Sequence, residues 1–322
     1  MGLEVRRRTT ALLAAASVLT LVAPMARQLV FPAEVASGPG IGARAGFSPG
    51  ATIFNESDAD LARSLDAMAA TGGEWVRLDV PWHVVEPNAP LLDLLGVITS
   101  RSFDWSRVDR LVDAAHARGL KVVALPHLTP SWARPAGTTD KHPPTDVALY
   151  AGFVEAAVRH YAPKGVKVWE LWNEPNLSLF WEPKPDPTVY TALVKAATPA
   201  IRAVDPGATV VLGGLSPAVD ASDGSQISPK TFLEQVYAAG GGGSFDAVGM
   251  HPYSFPARPM DPTTASWNTF YRLPLIRDVM VANGDGAKQI WSTEFGAPTG
   301  TADSAVSESE QSAILSEGYE AV

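Results

Sequence analysis

The chain has 322 residues, 46% of them apolar and 18% charged, with a formal net charge of −9 and no cysteine. That composition belongs to a globular protein, and its acidic balance argues against a nucleic-acid partner, which needs a basic patch. The missing cysteine excludes disulfides, thiol catalysis, cysteine-type zinc sites and a lipoprotein anchor.

In chain order, the first feature is a leader. Arg6, Arg7 and Arg8 precede an apolar run from Ala11 to Pro24, about 14 residues, the length of a signal core and short for a membrane span. Residues 1–38 are therefore expected to be a signal peptide, with cleavage after Ala26 or near Ala36, or else an uncleaved N-terminal membrane anchor. Either implies a secreted or cell-surface protein.

From Ile41 onward, short β-branched runs alternate with stretches of helical period. Strands are predicted at Ile41–Phe47, Trp75–Val80, Lys121–Leu125, Val168–Trp172, Thr209–Leu212, Ala247–Met250 and Gln289–Thr293. Helices are predicted between them at Asp58–Ala70, Trp105–Arg118, Thr145–Tyr161, Thr188–Val204, Pro229–Ala239 and Trp267–Asn283, with a last one from Ser307. Asp58 opens the first helix and Gly72 follows it, while Gly119 closes the next. His83 and Glu86 fall in a predicted loop.

Strict alternation without tight hairpins implies parallel strands with crossover helices. Seven such units, with no glycine-rich dinucleotide fingerprint after the first strand, give an α/β fold, a (β/α)8 TIM barrel spanning 39–322 as one domain. The count stops at seven strands where a closed barrel needs eight. Either one strand is hidden, or the barrel is truncated before strand 8; truncation is the expectation.

Reactive residues of such a barrel sit at the C-terminal ends of its strands. The fourth strand ends Glu170-Leu171-Trp172-Asn173-Glu174-Pro175-Asn176 and the seventh ends Trp291-Ser292-Thr293-Glu294-Phe295-Gly296. Each carries a glutamate flanked by aromatic residues. A lone glutamate there is ordinarily a helix cap or a surface charge. A pair at opposite sides of a barrel mouth can converge on one bond.

The run Glu170 to Leu177, followed by Phe180-Trp181, resembles the acid/base signature of clan A glycoside hydrolases and looks most like family 39, the β-xylosidases and exopolysaccharide hydrolases. Thr293-Glu294-Phe295-Gly296 resembles the nucleophile strand of the wider clan, including the family 5 cellulases. Val76 to Trp82, Phe103-Asp104-Trp105 and Thr129 to Ala133 match in order and spacing.

The resemblance implies a retaining glycosidase that cleaves O-glycosidic bonds, of β configuration, of a polysaccharide or oligosaccharide. It makes Glu174 the acid/base and Glu294 the nucleophile. Asn173 would bond the sugar 2-hydroxyl, Arg77 would keep Glu294 anionic, Tyr253 would bond Glu294, and His251 would contact the acid/base or the substrate. His127 falls where clan members place a substrate-binding histidine. Trp132 and Trp181 are the aromatic residues expected to stack on sugar. A structural alternative for Arg77 is a core ion pair with Glu170.

Neither cofactor nor metal is expected, since the histidines lack ligand spacing. Two other functions share these residues: a transglycosylase, in which a sugar replaces water, and a carbohydrate-binding barrel that does not cut.

Overall fold

The computed structural model describes residues 45–321; the predicted leader lies outside them. Seven parallel strands form one sheet in chain order: β1 Gly46–Phe47, β2 Trp75–Pro81, β3 Lys121–His127, β4 Val168–Leu171, β5 Thr209–Leu215, β6 Ala247–Met250 and β7 Gln289–Ser292. The helices are α1 Asp58–Ala70, α2 Ser106–His116, α3 Val147–Tyr161, α4 Pro187–Val204, α5 Pro229–Ala238, α6 Leu273–Ala282 and α7 Glu308–Glu320. This is the α/β architecture of a TIM barrel with seven of its strands, the form expected from the sequence. None of the helices among the described residues is long and apolar enough to cross a membrane.

Alternation along each strand separates two layers. Val76, Leu78 and Val80 of β2, Trp169 and Leu171 of β4, and Val210 and Leu212 of β5 join the large core beneath the helices. Val123, Val168, Val211 and Ala247 form a second cluster on the inner face, with Trp75 and Trp291 against it. Side chains of one strand point alternately to the two faces. Arg77 and Asp79 therefore share the inner face with Trp75, and Glu170 shares it with Val168.

Local signals set the helix ends. The side chains of Ser57, Asp146, Asp186, Ser228 and Ser307 each accept a backbone N–H of the first helical turn, the capping role of short polar residues. One helix starts later than predicted, at Leu273 rather than Trp267. Buried Asn268 donates to the carbonyls of Arg258 and Pro259 and to Thr264 Oγ1, so its side chain organises a turn in place of helix.

After β2 the chain makes a short antiparallel hairpin, Leu91–Leu92 against Ile98–Ser100, which the sequence patterning did not indicate. Its neck is closed by Glu86, which is fully buried, accepts from Trp82 Nε1 at 2.7 Å and pairs with Arg101. Glu86 lies in a loop, as expected, and acts there as an anchor, a carboxylate whose partners lie up to 15 residues away. His83, expected in the same loop, falls instead in the short helix Trp82–Val85. The tip is different. Leu94 and Leu95 are 105% and 88% exposed, so they contribute nothing to packing. Replacing both with lysine is expected to change folding stability by less than about 0.5 kcal/mol while reducing self-association. Urea unfolding and light scattering check this; a larger loss of stability would show that the tip packs on the body.

Candidate active site

Because the strands are parallel, their C-terminal ends lie along one edge of the sheet and gather the predicted residues there. The backbone at the end of β4 is bent to aim them. Trp172 and Glu174 have φ of 74° and 45°, the left-handed region, which costs a non-glycine residue on the order of 1–3 kcal/mol. Offsetting contacts hold the bend. Trp172 Nε1 donates to the Phe180 carbonyl at 2.8 Å, and Glu174 N donates to the Gly214 carbonyl at 3.1 Å. Asn176 bonds Ser216 and Ile227, so this residue of the motif ties two loops together. A Cβ at Gly214 would collide with the His251 ring; only glycine leaves room for the imidazole there.

Around this bend a continuous polar network runs from β2 to β7. Arg77 is 7% exposed. Its Nη1 donates to Glu294 Oε1 at 2.7 Å, its Nη2 to Asn173 Oδ1 at 2.8 Å, and its Nε to Glu170 Oε2 at 2.6 Å. The two roles considered for Arg77 thus coincide: it is a buried partner of Glu170 and a counter-charge to Glu294. Tyr253 donates its hydroxyl to Glu294 Oε2 at 2.9 Å. His251, fully buried, places Nδ1 2.8 Å from Glu174 Oε1 and 3.6 Å from Glu294 Oε2. Bonded to Arg77 through its oxygen, Asn173 keeps its amide N–H groups for another acceptor.

The two glutamates differ in their surroundings. Burial pushes the Glu294 carboxyl up, but the charges of His251 and Arg77 and the Tyr253 hydroxyl outweigh it and hold the group below its ordinary 4.5. For His251, burial opposes the charged form, yet the Glu294 charge and the bond and charge of Glu174 raise it above its ordinary 6.5. The stability supplied by Glu294 is fully present above pH 4.5 and is lost as pH falls through its folded value. That supplied by His251 is fully present below pH 6.5 and is lost as pH rises through its folded value. A thermal melt series is therefore expected to place the maximum Tm between pH 4.5 and 6.5; a Tm still rising well above that window would contradict these assignments.

The remaining candidates divide. His127, 8% exposed at the end of β3, lies 3.6 Å from Asp79 Oδ1, and its Nε2 has no hydrogen-bond partner. Burial raises the Asp79 carboxyl, while His127 and Arg77 together hold it below the usual carboxylate range. Trp132 is half-buried, with Nε1 fixed on the Glu86 carbonyl at 3.0 Å and its ring edge-on to Trp82. Trp181 is a correction: it is 1% exposed, packed between Trp172 and Tyr190, so neither face is open to a sugar. A loop tryptophan beside the signature looks the same in sequence whether it turns inward or outward.

Sequence reasoning passed over Asp79, Gly214 and Thr293 as parts of the site. The first had a signal, since Arg77 and Asp79 alternate with apolar residues on one strand face. Among the described residues, one group of acidic and histidine side chains converges closely enough to hold a metal ion: Glu174, His251 and Glu294, with ligand atoms within 4.8 Å of one another. The Arg77 guanidinium and the raised basicity of His251 put positive charge where such an ion would sit. The same set suits two carboxyl groups acting on one bond, one held anionic and one hydrogen-bonded to an imidazole.

The family model for cellulases, glycosyl hydrolase family 5, matches residues 42–311. No curated protein matches the sequence. Solved structures share the fold. A family 39 glycoside hydrolase from Bacteroides cellulosilyticus WH2 has a TM-score of 0.56 and 24% identity over 83% of this chain and 51% of its own. A monomeric β-xylosidase from Caulobacter crescentus CB15 gives 0.52 and 23% over 78% and 52%. An exo-β-1,4-mannosidase from Opitutaceae bacterium strain TAV5 gives 0.55 and 22% over 84% and 48%. The chain thus spans about half the length of these proteins.

Proposed function

As the chain belongs to the cellulase family, glycosyl hydrolase family 5, we propose that it hydrolyses O-glycosidic bonds, of β configuration, in a polysaccharide or oligosaccharide by double displacement. One observation carries the reading. Glu174 and Glu294 each bring one carboxylate oxygen into a cluster with His251 whose atoms lie within 4.8 Å of one another, a convergence that suits the short carboxyl separation, about 5–5.5 Å, of enzymes that form a covalent glycosyl-enzyme.

In the first step a Glu294 oxygen bonds the anomeric carbon as the bond to the leaving oxygen breaks. That oxygen takes the proton carried by Glu174, leaving a glycosyl ester and a Glu174 carboxylate. In the second, a water gives a proton to Glu174 and its oxygen displaces Glu294 from the anomeric carbon. Both residues return to their starting states, and two displacements restore the configuration. Among the described residues, Glu174 Oε1 is bonded to His251 and Oε2 to nothing, so Oε2 is free to carry the transferred proton. Asn173 is placed to donate to the sugar 2-hydroxyl, a bond that strengthens as the oxocarbenium-like transition state forms.

A panel of activated 2-fluoro glycosides tests the reading. The fluorine slows both steps and the activated leaving group speeds only the first, so the ester accumulates. Intact mass should show one sugar per chain, and peptide mapping should place it on Glu294. A label on another residue, or none from any sugar, overturns the proposal.

A further inference from the structure

Glu170 is a charged residue in the middle of a strand whose other residues, Val168, Trp169 and Leu171, are buried and apolar. It is 0% exposed, so it touches neither solvent nor substrate. A carboxylate in such a place is costly unless its oxygens are fully bonded. Here they are: Oε2 accepts from Arg77 Nε at 2.6 Å, and Oε1 accepts from Arg77 Nη2 at 3.2 Å, Gly214 N at 2.8 Å and Thr293 Oγ1 at 3.0 Å.

The donors are not arbitrary core groups. Arg77 also bonds Glu294 and Asn173. The Gly214 carbonyl accepts from Glu174 N. Thr293 is covalently joined to Glu294. Each partner of Glu170 is thus one step from a residue of the reaction.

The form of the Arg77 contact gives this arrangement a purpose. A guanidinium facing a single carboxylate favours the bidentate fork, which would tie up both oxygens of Glu294. Glu170 occupies that fork with the Nε and Nη2 edge. Only Nη1 remains for Glu294, reaching Oε1 end-on, and Oε2 stays with the Tyr253 hydroxyl. We propose that Glu170 is a positioning residue for the reaction: it fixes the Arg77 guanidinium so that Glu294 keeps a counter-charge without being clamped by it.

The inference rests on Glu294 being the nucleophile, so the experiment first measures 2-fluoro glycoside labelling of the wild type. No label there overturns the proposed function and this inference with it. The decisive variant is Glu170→Gln, read by the rate constant of labelling and by the pH profile of kcat/KM on an activated aryl glycoside. Arg77 and Asp79 of β2, Glu170 and Glu174 of the β4 end, and His251 and Tyr253 beyond β6 are the charged and titratable groups facing Glu294.

Removing the Glu170 charge gives Glu294 the whole of Arg77. The acid limb should move to lower pH, and labelling should slow by about 10- to 100-fold, as expected of a reacting group shifted from its line of attack, with KM little changed. A role confined to stability would lower Tm and leave both readouts alone. Folded Glu170→Gln that labels at the wild-type rate with an unmoved acid limb overturns the proposal. Thr293→Val removes one bond to Glu170 and keeps its charge. It should slow labelling by about fivefold, the worth of a single hydrogen bond, with the acid limb in place. If Glu170→Gln does not fold, wild-type labelling in Thr293→Val overturns the proposal by itself.

Discussion

Glu294→Gln is expected to lower kcat by roughly 10⁴-fold or more, the scale on which loss of a covalent nucleophile is felt in other enzymes, or about 5.4 kcal/mol of barrier per 10⁴. The amide is nearly the shape of the carboxylate and can still accept from Tyr253, so the fold should survive. What it lacks is the charge that attacks the anomeric carbon. Arg77 is left with Glu170 as its carboxylate partner, and the counter-charge arrangement that holds Glu294 anionic becomes irrelevant. Substrate binding should persist, because Asn173 and His127 are untouched. Circular dichroism, sugar binding by calorimetry and turnover on a defined oligosaccharide separate these effects. Turnover within tenfold of wild type by a folded variant would end the mechanism proposed here.

Glu174→Gln should give a loss that depends on the leaving group. Positioned general acids and bases contribute about 10²–10⁴-fold. An unactivated sugar leaving group needs the proton, so kcat/KM on a natural linkage should fall over that whole range. A dinitrophenolate leaves unaided, so the first step on its glycoside should be almost unimpaired while the second, which needs a base for water, slows. The glycosyl-enzyme then accumulates and shows as a burst. Added azide, which attacks without a base, should restore turnover and yield a glycosyl azide of retained configuration. Equal losses on both substrates and no rescue would mean that Glu174 is not the acid/base.

The architecture was legible because period and punctuation agree along most of the chain. Capping serines and aspartates and buried β-branched strands each say the same thing. The failures have local causes. A buried asparagine delayed α6, and a hairpin of exposed leucines gave no alternating pattern. In the site, Glu174, Asn173 and Glu294 could be named because they stand at strand ends, where this fold puts its chemistry, in runs that resemble the clan's signatures. Trp181 could not be placed, because the direction a loop aromatic faces is decided by tertiary packing. Glu170 was visible as a charge inside a buried strand. Its three partners lie 93, 44 and 123 residues away, and no local pattern encodes such distances.

The Arg77 guanidinium also ties the beginning of the sheet to its end. Its contact with Glu170 spans 93 residues and that with Glu294 spans 217, so the second closes the longer loop, at the greater entropic cost. During refolding, the helices and the early strands can regain their spectroscopic signal while Glu294 is still undelivered. Turnover and circular dichroism would then keep different clocks: recovery of activity times the arrival of Glu294 beside Arg77, and the gap between the two curves measures how long that contact takes to form.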